Sequence, residues 1–420
     1  MMTTGSITPF VPLKFIAEIV SGGTPKPDPN NWDGDIPFIT PPDLNGLDGD
    51  VVSQWERTLT ETGTSGSSIT KDAVLLSCRA PIGHVGVVTS EMAFNQGCKA
   101  IVPQHAEDLA YVAYCLVASR RALQALGRGT TFMEISTTQL SNFSIPWPVC
   151  ADRRAITRYL DRETSEIDAM HAKLNELERT LLKRRRAVIL EATGQGCTEE
   201  GKPATRSSFG ASENEWQMMP LKFAVDSVQT GIWGQEENGG SDDLPCVRVA
   251  DFDRLHNRVT EAPTIRRIEY KDRVRCGLQK GDLLVEKSGG TGKNPVGAVV
   301  AYIGDSPAVC SNFILRLRCR NNQHPRFWLY VLHGSYIAGR TWNYVRQTTG
   351  IQNLDVNGFM SMKHPVPNFH EQRRIADHLD EVTGRIDAMH TKIDELKALL
   401  VERRAALITD VVTGRKKVPA

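Results

Sequence analysis

Residues 152–193 read DRRAITRYLDRETSEIDAMHAKLNELERTLLKRRRAVILEAT, and this stretch decides the fold. A related stretch, EQRRIADHLDEVTGRIDAMHTKIDELKALLVERRAALITDVVT, occupies residues 371–413, and both contain the pentapeptide IDAMH. Neither contains proline, and each ends in a Thr that Gly194 or Gly414 follows, which is typical of a helix C-terminus. At ~1.5 Å rise per residue, each stretch predicts a helix roughly 60 Å long. Asp152 is predicted to cap the first helix, and Asn368 the second.

Aliphatic residues recur at every seventh position of both stretches. This predicted pairing seam consists of Leu160, Ile167, Leu174 and Leu181 in the first stretch, and of Leu379, Ile386, Ile393 and Leu400 in the second. The second apolar position of the heptad is assigned to Ile156, Met170 and Leu177 in the first stretch, where Glu163 and Arg184 interrupt it, and to Ile375, Val382, Met389 and Leu396 in the second. Such a narrow stripe predicts a partner helix, so the two helices are expected to pair as a coiled coil. The heptads leave the direction of pairing open. The alternative is that each helix packs on its own neighbouring domain.

The segments that precede the two helices are also related to each other. LKFIAEIV at 13–20 corresponds to LKFAVDSV at 221–228, and IPFITPPDL at 36–44 to LPCVRVADF at 244–252. Short strands bounded by Gly, Pro and Asn, with a helix at 108–126, predict two α+β domains. The predicted organisation is a first globular domain at 1–148, a helix at 149–195, a linker at 196–214, a second globular domain at 215–367, a helix at 368–414 and a basic tail at 415–420.

Composition excludes several classes of protein. The formal net charge of the 420 residues is +1, so the chain lacks the strongly basic character of a protein that binds DNA tightly alone. The nine cysteines form no CxxC pair, which indicates free thiols, a reducing cytoplasm and no zinc site. The longest apolar run, residues 109–118, is shorter than the ~20 residues that cross a bilayer. No membrane partner is therefore expected.

Catalytic and metal-binding motifs are incomplete. TPPD at 40–43 resembles an amino-methyltransferase signature but lacks its acceptor and its aromatic residue. SGGTGKNP at 288–295 lacks the first glycine and the final Ser or Thr of a phosphate loop. His171 and His390 are interpreted as residues on the flank of the coiled coil, because no second ligand is evident nearby. No catalytic residue and no metal ligand is assigned.

Glycine-rich and basic loops remain as candidates for contacts with DNA. Arginine and lysine bind phosphates or guanine, and glycine and hydroxyl residues let a loop approach the DNA closely. Lys287 is interpreted as the counterpart of Arg79. Arg128, Thr130 and Thr131 of the first domain are interpreted as the counterparts of Arg346, Thr348 and Thr349 of the second. The candidate DNA-binding residues are Arg79, His84, Arg128, Thr130, Thr131, Lys287, Lys293, Arg346, Thr348 and Thr349.

The whole chain resembles the specificity subunit of type I restriction–modification systems. The first domain carries LLSCRAPIGHVGVV at 75–88, AFNQGCKAIVP at 93–103 and TTFMEISTTQLSNFSIPWP at 130–148. The helices carry RRAITRYLDRETSEID at 153–168 and QRRIADHLDEVTGRID at 372–387. The second domain departs from the first in two places: three extra residues between Lys287 and Val296, and Ser-Asn at 311–312 in place of Asn-Gln.

The resemblance implies an α+β fold with two target-recognition-type domains separated by two long helices that pair as an antiparallel coiled coil. It implies a non-catalytic subunit that reads a bipartite sequence in double-stranded DNA. Two methyltransferase subunits and restriction/translocase subunits are the expected partners. S-adenosylmethionine, ATP and Mg are expected on those partners and not on this chain. The alternatives are a standalone DNA-modifying enzyme and a coiled-coil scaffold that binds no nucleic acid.

Overall fold

The structure is a computed structural model that describes residues 8–127, 134–195, 216–292, 294–348 and 350–419. The chain forms two compact units, of which unit 1 is Met1–Leu174 with Glu395–Ala420, and unit 2 is Asn175–Asp394. The division falls inside both long helices. Among the described residues, no helix combines the length and the apolar composition that a bilayer crossing requires.

The described part of unit 1 contains, besides segments of the long helices, ten short strands and four short α-helices. The strands are β1 (Phe10–Pro12), β2 (Ala17–Ser21), β3 (Trp32–Ile39), β4 (Arg57–Leu59), β5 (Ser68–Thr70), β6 (Ala73–Ser77), β7 (Val85–Val88), β8 (Met92–Phe94), β9 (Cys98–Pro103) and β10 (Ser144–Pro146). The helices are α1 (Glu61–Thr64), α2 (Leu109–Ala118), α3 (Arg120–Leu126) and α4 (Thr137–Ser141). The single helix predicted at 108–126 is thus two helices that meet at Ser119.

The core of unit 1 is built around β6, whose residues are all buried. β6 pairs antiparallel with β7 and β9 in a sheet of order β2-β9-β6-β7, and a second sheet has the order β4-β3-β8-β5. A strand such as AVLLS, apolar except for its final Ser77, suits this position because both faces of the sheet are covered. α2 packs on the first sheet and supplies Tyr111, Val112 and Cys115 to the core.

The long helix α5 (Cys150–Ala192) follows, and unit 2 then repeats the plan of unit 1. Its strands are β11 (Gln217–Pro220), β12 (Val225–Thr230), β13 (Asp243–Val247), β14 (Arg258–Val259), β15 (Ile265–Arg267), β16 (Leu283–Glu286), β17 (Ser288–Gly289), β18 (Val299–Tyr302), β19 (Val309–Cys310), β20 (Ile314–Cys319), β21 (Val345–Thr348), β22 (Ile351–Leu354) and β23 (Lys363–Val366). Its helices are α6 (Tyr270–Cys276), α7 (Pro325–Ile337) and α8 (Val356–Ser361), and the long α9 (Phe369–Val412) begins in it.

The central sheet of unit 2 has the order β12-β20-β16-β18-β14, and its first four strands correspond to β2-β9-β6-β7 of unit 1. β16 is buried like β6, and α7 covers the sheet as α2 does, with Phe327, Trp328 and Val331 in the core. The predicted duplication of an α+β domain is confirmed.

Both long helices extend slightly beyond the predicted stretches at their N-termini. α5 begins at Cys150, so Asp152 lies in the first turn and the prediction that it caps the helix was wrong. Asn368 does cap α9, because its side-chain oxygen accepts a hydrogen bond from the Glu371 backbone N–H at 3.0 Å. Gly194 and Gly414 follow the two helices with φ of +66° and +75°, the left-handed geometry of a helix C-terminus.

Contacts within each unit show that α5 and α9 run antiparallel. In unit 2, Arg185 Nε lies 3.2 Å from Asp387 Oδ1, and Glu178 Oε1 lies 2.9 Å from His390 Nε2. In unit 1, Leu160 and Ile167 share a buried cluster with Leu407 and Val411, near the end of α9. Later residues of α5 therefore contact earlier residues of α9, and the expected antiparallel coiled coil is confirmed.

The seam residues predicted at every seventh position lie in the helix interface. Leu160, Ile167, Leu181, Leu379, Ile386 and Ile393 are buried, and Leu174 and Leu400 are half-buried. The second apolar position was assigned wrongly in part. Met170, Leu177, Met389 and Leu396 are all exposed, whereas Ile375 is buried and Ile156 and Val382 are half-buried. Buried or half-buried polar residues occupy that side of the seam instead: Thr164, His171, Glu178 and Arg185 on α5, and Thr383, His390 and Arg404 on α9.

Candidate nucleic-acid interface

Backbone hydrogen bonds give the true correspondence between the basic loops of the two units. The N–H groups of Cys78 and Arg79 both donate to Gly97 O, and those of Lys287 and Ser288 both donate to Phe313 O. Arg79 therefore corresponds to Ser288, and Lys287 corresponds to Cys78. The prediction that Lys287 is the counterpart of Arg79 was wrong because sequence alignment placed the strands one residue out of register.

The same hydrogen bonds correct the length of the loop that follows. Gly83 N–H donates to Ser77 O, and Gly297 N–H donates to Glu286 O. Both glycines have positive φ, +91° and +101°, so they occupy the same turn position. Three residues separate Arg79 from Gly83, whereas eight separate Ser288 from Gly297. The second loop is thus longer by five residues and not by the three expected.

The aligned positions carry different chemistry in the two units. Arg79 Nε donates to Glu134 Oε2 at 2.9 Å, and both side chains are partly exposed. In unit 2, Ser288 Oγ donates to Asn353 Oδ1 at 2.7 Å. The guanidinium of Arg79 retains donors beyond this ion pair, since arginine has five N–H groups in all. An ion pair therefore stands in unit 1 where unit 2 has a neutral contact.

His84 and Lys287 are half-buried in their units. His84 Nδ1 is buried and has no hydrogen-bond partner among the described residues. Burial lowers the pKa of His84, and the nearby Arg120 guanidinium lowers that pKa further. The imidazole is therefore neutral near pH 7, which suits a contact with a base edge better than a contact with a phosphate.

Arg346 lies on β21, is exposed, and pairs with Asp355 Oδ2 at 2.5 Å. The backbone of Thr348 ends the same strand, and its side chain lies outside the described part of the chain. Five further candidates also lie outside the described residues: Arg128, Thr130, Thr131, Lys293 and Thr349. A DNA-contacting role for all of these residues stays a prediction.

Unit 2 contains a cavity of about 620 Å³ next to the Lys287 loop. Its lining consists of Trp233, Arg248, Val249, Ala250, Glu286, Ser288, Gly289, Gly290, Ser311, Asn312 and Phe313. Trp233 and Phe313 are 39% and 46% exposed, so two aromatic side chains are open to solvent at one site. Neither aromatic residue belongs to a motif of the sequence, but the two departures of the second domain, at 288–295 and 311–312, both border this cavity.

His390 was interpreted as a flank residue of the coiled coil, and it is half-buried beside the seam in contact with the facing helix, but the expectation that no second ligand lies nearby was wrong. Its Nε2 lies 2.9 Å from Glu178 Oε1, and its Nδ1 lies 3.3 Å from Asp394 Oδ2. One ligand atom of each residue lies within 4.8 Å of the others, a spacing that a metal ion would tolerate. However, the two ring nitrogens face different carboxylates, so these contacts are those of an ion-pair bridge between the helices.

Comparison with known proteins identifies the family. Residues 9–179 and 255–398 match the model of the type I restriction modification DNA specificity domain. The chain belongs to this family. Both matched ranges contain one recognition-type domain or most of it, together with part of a long helix.

The chain is similar to individual specificity subunits over part of their length. It is 32% identical over 154 residues to the Type I restriction enzyme MjaIX specificity subunit of Methanocaldococcus jannaschii, which is 35% of this chain and 36% of that protein. It is 23% identical over 311 residues to the StySPI specificity subunit of Salmonella potsdam, which is 72% of this chain and 65% of that protein. The match thus spans about a third of the length of the first relative and just under two thirds of the length of the second.

Two solved structures share the fold over nearly the whole chain. One is the HsdS subunit from Thermoanaerobacter tengcongensis, with a TM-score of 0.53, 15% identity and 97% coverage of both chains. The other is a chain from a structure of a type I R-M system, described in terms of complex assembly and conformational transition. It has a TM-score of 0.64, 17% identity, and coverage of 97% of this chain and 98% of that chain.

Proposed function

We propose that this chain is the DNA specificity subunit of a type I restriction–modification complex. Each α+β domain reads one half of a bipartite target in double-stranded DNA. The chain itself carries out no chemistry. Membership of the DNA specificity family supports this function.

The observation that carries the proposal is a duplicated scaffold with different side chains at matched positions. The Arg79–Glu134 pair of unit 1 corresponds to the neutral Ser288–Asn353 pair of unit 2. Base edges are distinguished by the pattern of donors and acceptors that face them. Two domains with the same backbone and different polar groups therefore suit two different half-sites.

We further propose that the paired helices determine the length of unread DNA between the half-sites. α5 and α9 are each continuous across the division between the units. A helix has a fixed rise per residue, so the number of its residues defines its length, whereas a flexible loop has no defined end-to-end distance.

The partners in this proposal are two methyltransferase subunits and restriction/translocase subunits in the cytoplasm. S-adenosylmethionine, ATP and Mg would bind to those subunits. The net charge of +1 supports shared binding of DNA, because phosphate contacts dominate the affinity of a protein for DNA and a near-neutral chain supplies few of them.

The test is the adenine methylation pattern of the host genome with the gene present, deleted and restored. We expect one bipartite motif to lose methylation on deletion and to regain it on restoration. Methylation that persists in the deletion strain would refute the assignment. Methyl transfer by the purified chain without partner subunits would instead support the standalone enzyme. A gel shift that detects no DNA binding even with the methyltransferase subunits would support the scaffold.

A further inference from the structure

The cavity in unit 2 differs from the rest of the candidate interface because aromatic side chains are open to solvent at its mouth. We propose that this cavity binds a single nucleobase, supplied by the half-site that unit 2 reads. The choice of DNA as the source rests on the proposed function. The cavity volume of about 620 Å³ lies within the ~300–1,000 Å³ typical of small-molecule sites.

The aromatic walls favour a flat, unsaturated ligand. Arg266 lies over the Trp233 ring, with its Cζ 4.7 Å from the ring centroid, and its Nε donates to Trp233 O at 3.1 Å. The indole is thereby held in place before any ligand arrives. Phe313 lines the same cavity, and its backbone oxygen accepts hydrogen bonds from Lys287 and Ser288. Bases that leave the DNA stack are commonly bound by stacking on such side chains.

The polar groups of the cavity match the edge of a base, which presents both donors and acceptors. Arg248 is held by Asp251, whose Oδ1 accepts from its Nη2 at 3.1 Å, while its buried Nε has no partner among the described residues. Glu286 is buried and pairs with Arg254 at 2.6 Å. Its other oxygen, Oε1, accepts a weaker bond from Gly290 N–H at 3.3 Å. The lining of the cavity thus includes a guanidinium, a carboxylate and the side-chain amide of Asn312.

Comparison with unit 1 shows that these groups belong to the second repeat. By the backbone hydrogen-bond register, Trp233 stands where unit 1 has Thr24, and Phe313 stands where it has Gly97. Glu286 likewise replaces Ser77, and Arg248 replaces Thr40. None of the four is required by the shared scaffold, since unit 1 folds with smaller residues at each position. Their common location around one cavity points to a ligand that unit 2 alone binds.

The first arm of the test measures the methylation motif in cells that carry Trp233→Ala or Phe313→Ala. We expect the preference at one position, in one half of the motif, to fall by at least tenfold while the other half is unchanged. Trp233→Thr and Phe313→Gly restore the residues of unit 1 and serve as variants that the scaffold accommodates. The matched control is Tyr270→Ala, which removes an exposed aromatic residue of the same unit outside the cavity.

The second arm titrates the four deoxynucleoside monophosphates into the purified complex of this chain with its methyltransferase subunits. A motif that relaxes at one position supports a base taken from DNA. An unchanged motif, with monophosphate binding lost in the Trp233 variants, supports a nucleobase site filled by free nucleotide. If neither the motif nor monophosphate binding changes, the inference is overturned. If cells with the wild-type gene show no methylated motif, the proposed function is refuted. Whether the cavity binds a nucleobase is then decided by the monophosphate titration alone.

Discussion

Arg153 anchors the start of α5 to its domain, and replacing it should destabilise unit 1. Its Nε and Nη2 lie 2.7 and 3.0 Å from the two carboxylate oxygens of Asp108, and its Nη1 donates to Pro148 O at 2.8 Å. Both side chains are buried, and the guanidinium also lies 4.1 Å from the centre of the Trp147 ring. Arg153→Met would leave the Asp108 carboxylate buried without its counter-charge.

Breaking a buried pair from one side costs about 3–5 kcal/mol. For a unit of about 200 residues, each kcal/mol lowers the melting temperature by about 2–4 °C, so we expect a loss of roughly 10 °C. Differential scanning calorimetry of the full chain measures this loss. The double variant Arg153→Met with Asp108→Leu should recover most of it, because a fully apolar replacement of a buried pair is close to neutral.

The adjacent Arg154 provides the matched control. It pairs with Glu107 on the surface, where the two side chains are 57% and 41% exposed. Exposed pairs contribute about 0–1 kcal/mol, so Arg154→Met should change the melting temperature by no more than about 3 °C. If Arg153→Met proves as mild as Arg154→Met, burial does not set the strength of this contact and the reasoning fails.

Three further predictions concern the helices and a buried histidine. Burial, with a smaller effect of Arg340, lowers the pKa of His364 to about 3. Because the unfolded state binds the proton at about pH 6.5 and the folded state does not, His364 should cost unit 2 roughly 2 kcal/mol between pH 6.5 and 5. His364→Ile should remove this part of the loss in urea titrations, while His333, whose pKa burial lowers to about 4, continues to contribute. Arg185→Met should lower the free energy of unfolding by about 2 kcal/mol, because its partner Asp387 is only 17% exposed and would lose its counter-charge. Arg404→Met should lower it by about 1 kcal/mol, because its partners Asp50 and Asp168 are 51% and 54% exposed and regain water. The same urea titrations at pH 7 measure both losses. Equal costs would contradict that account. Adding one heptad after Leu174 and another before Glu395 should lengthen the unread DNA spacer by about three base pairs, since seven residues add about 10 Å of helix. A methylation motif with unchanged spacing would oppose the proposed role of the helices.

The sequence predicted the features that depend on long repeats. The aliphatic residues at every seventh position from Leu160 to Leu181, and their repeat in α9, predicted two paired helices. A seven-residue period over several turns is evident even where single positions are ambiguous. The second heptad position was missed because residues such as Thr164 and Arg185 are polar, and pattern analysis looks for apolar residues. The burial of Arg185 depends on its ion pair with Asp387, which only the partner helix supplies.

The candidate interface was harder to predict than the helices. Weak similarity placed Lys287 opposite Arg79, while the strand hydrogen bonds place Ser288 there. A shift of one residue is invisible in a short alignment but moves a side chain to the other face of a strand. Trp233 and Phe313 gave no signal at all, because single exposed aromatic residues are ordinary until the fold brings them to one cavity.

The repeated polar residues of the seam have a consequence for how the chain folds. Arg185 and Arg404 occupy equivalent positions of the two IDAMH-containing repeats, as do Asp168 and Asp387. If the two helices aligned side by side in the same direction and in register, arginine would face arginine and aspartate would face aspartate. The aliphatic seams of the two related segments would otherwise match each other in that arrangement. Like-charge repulsion thus discourages the one misfolded pairing that the duplication itself makes available.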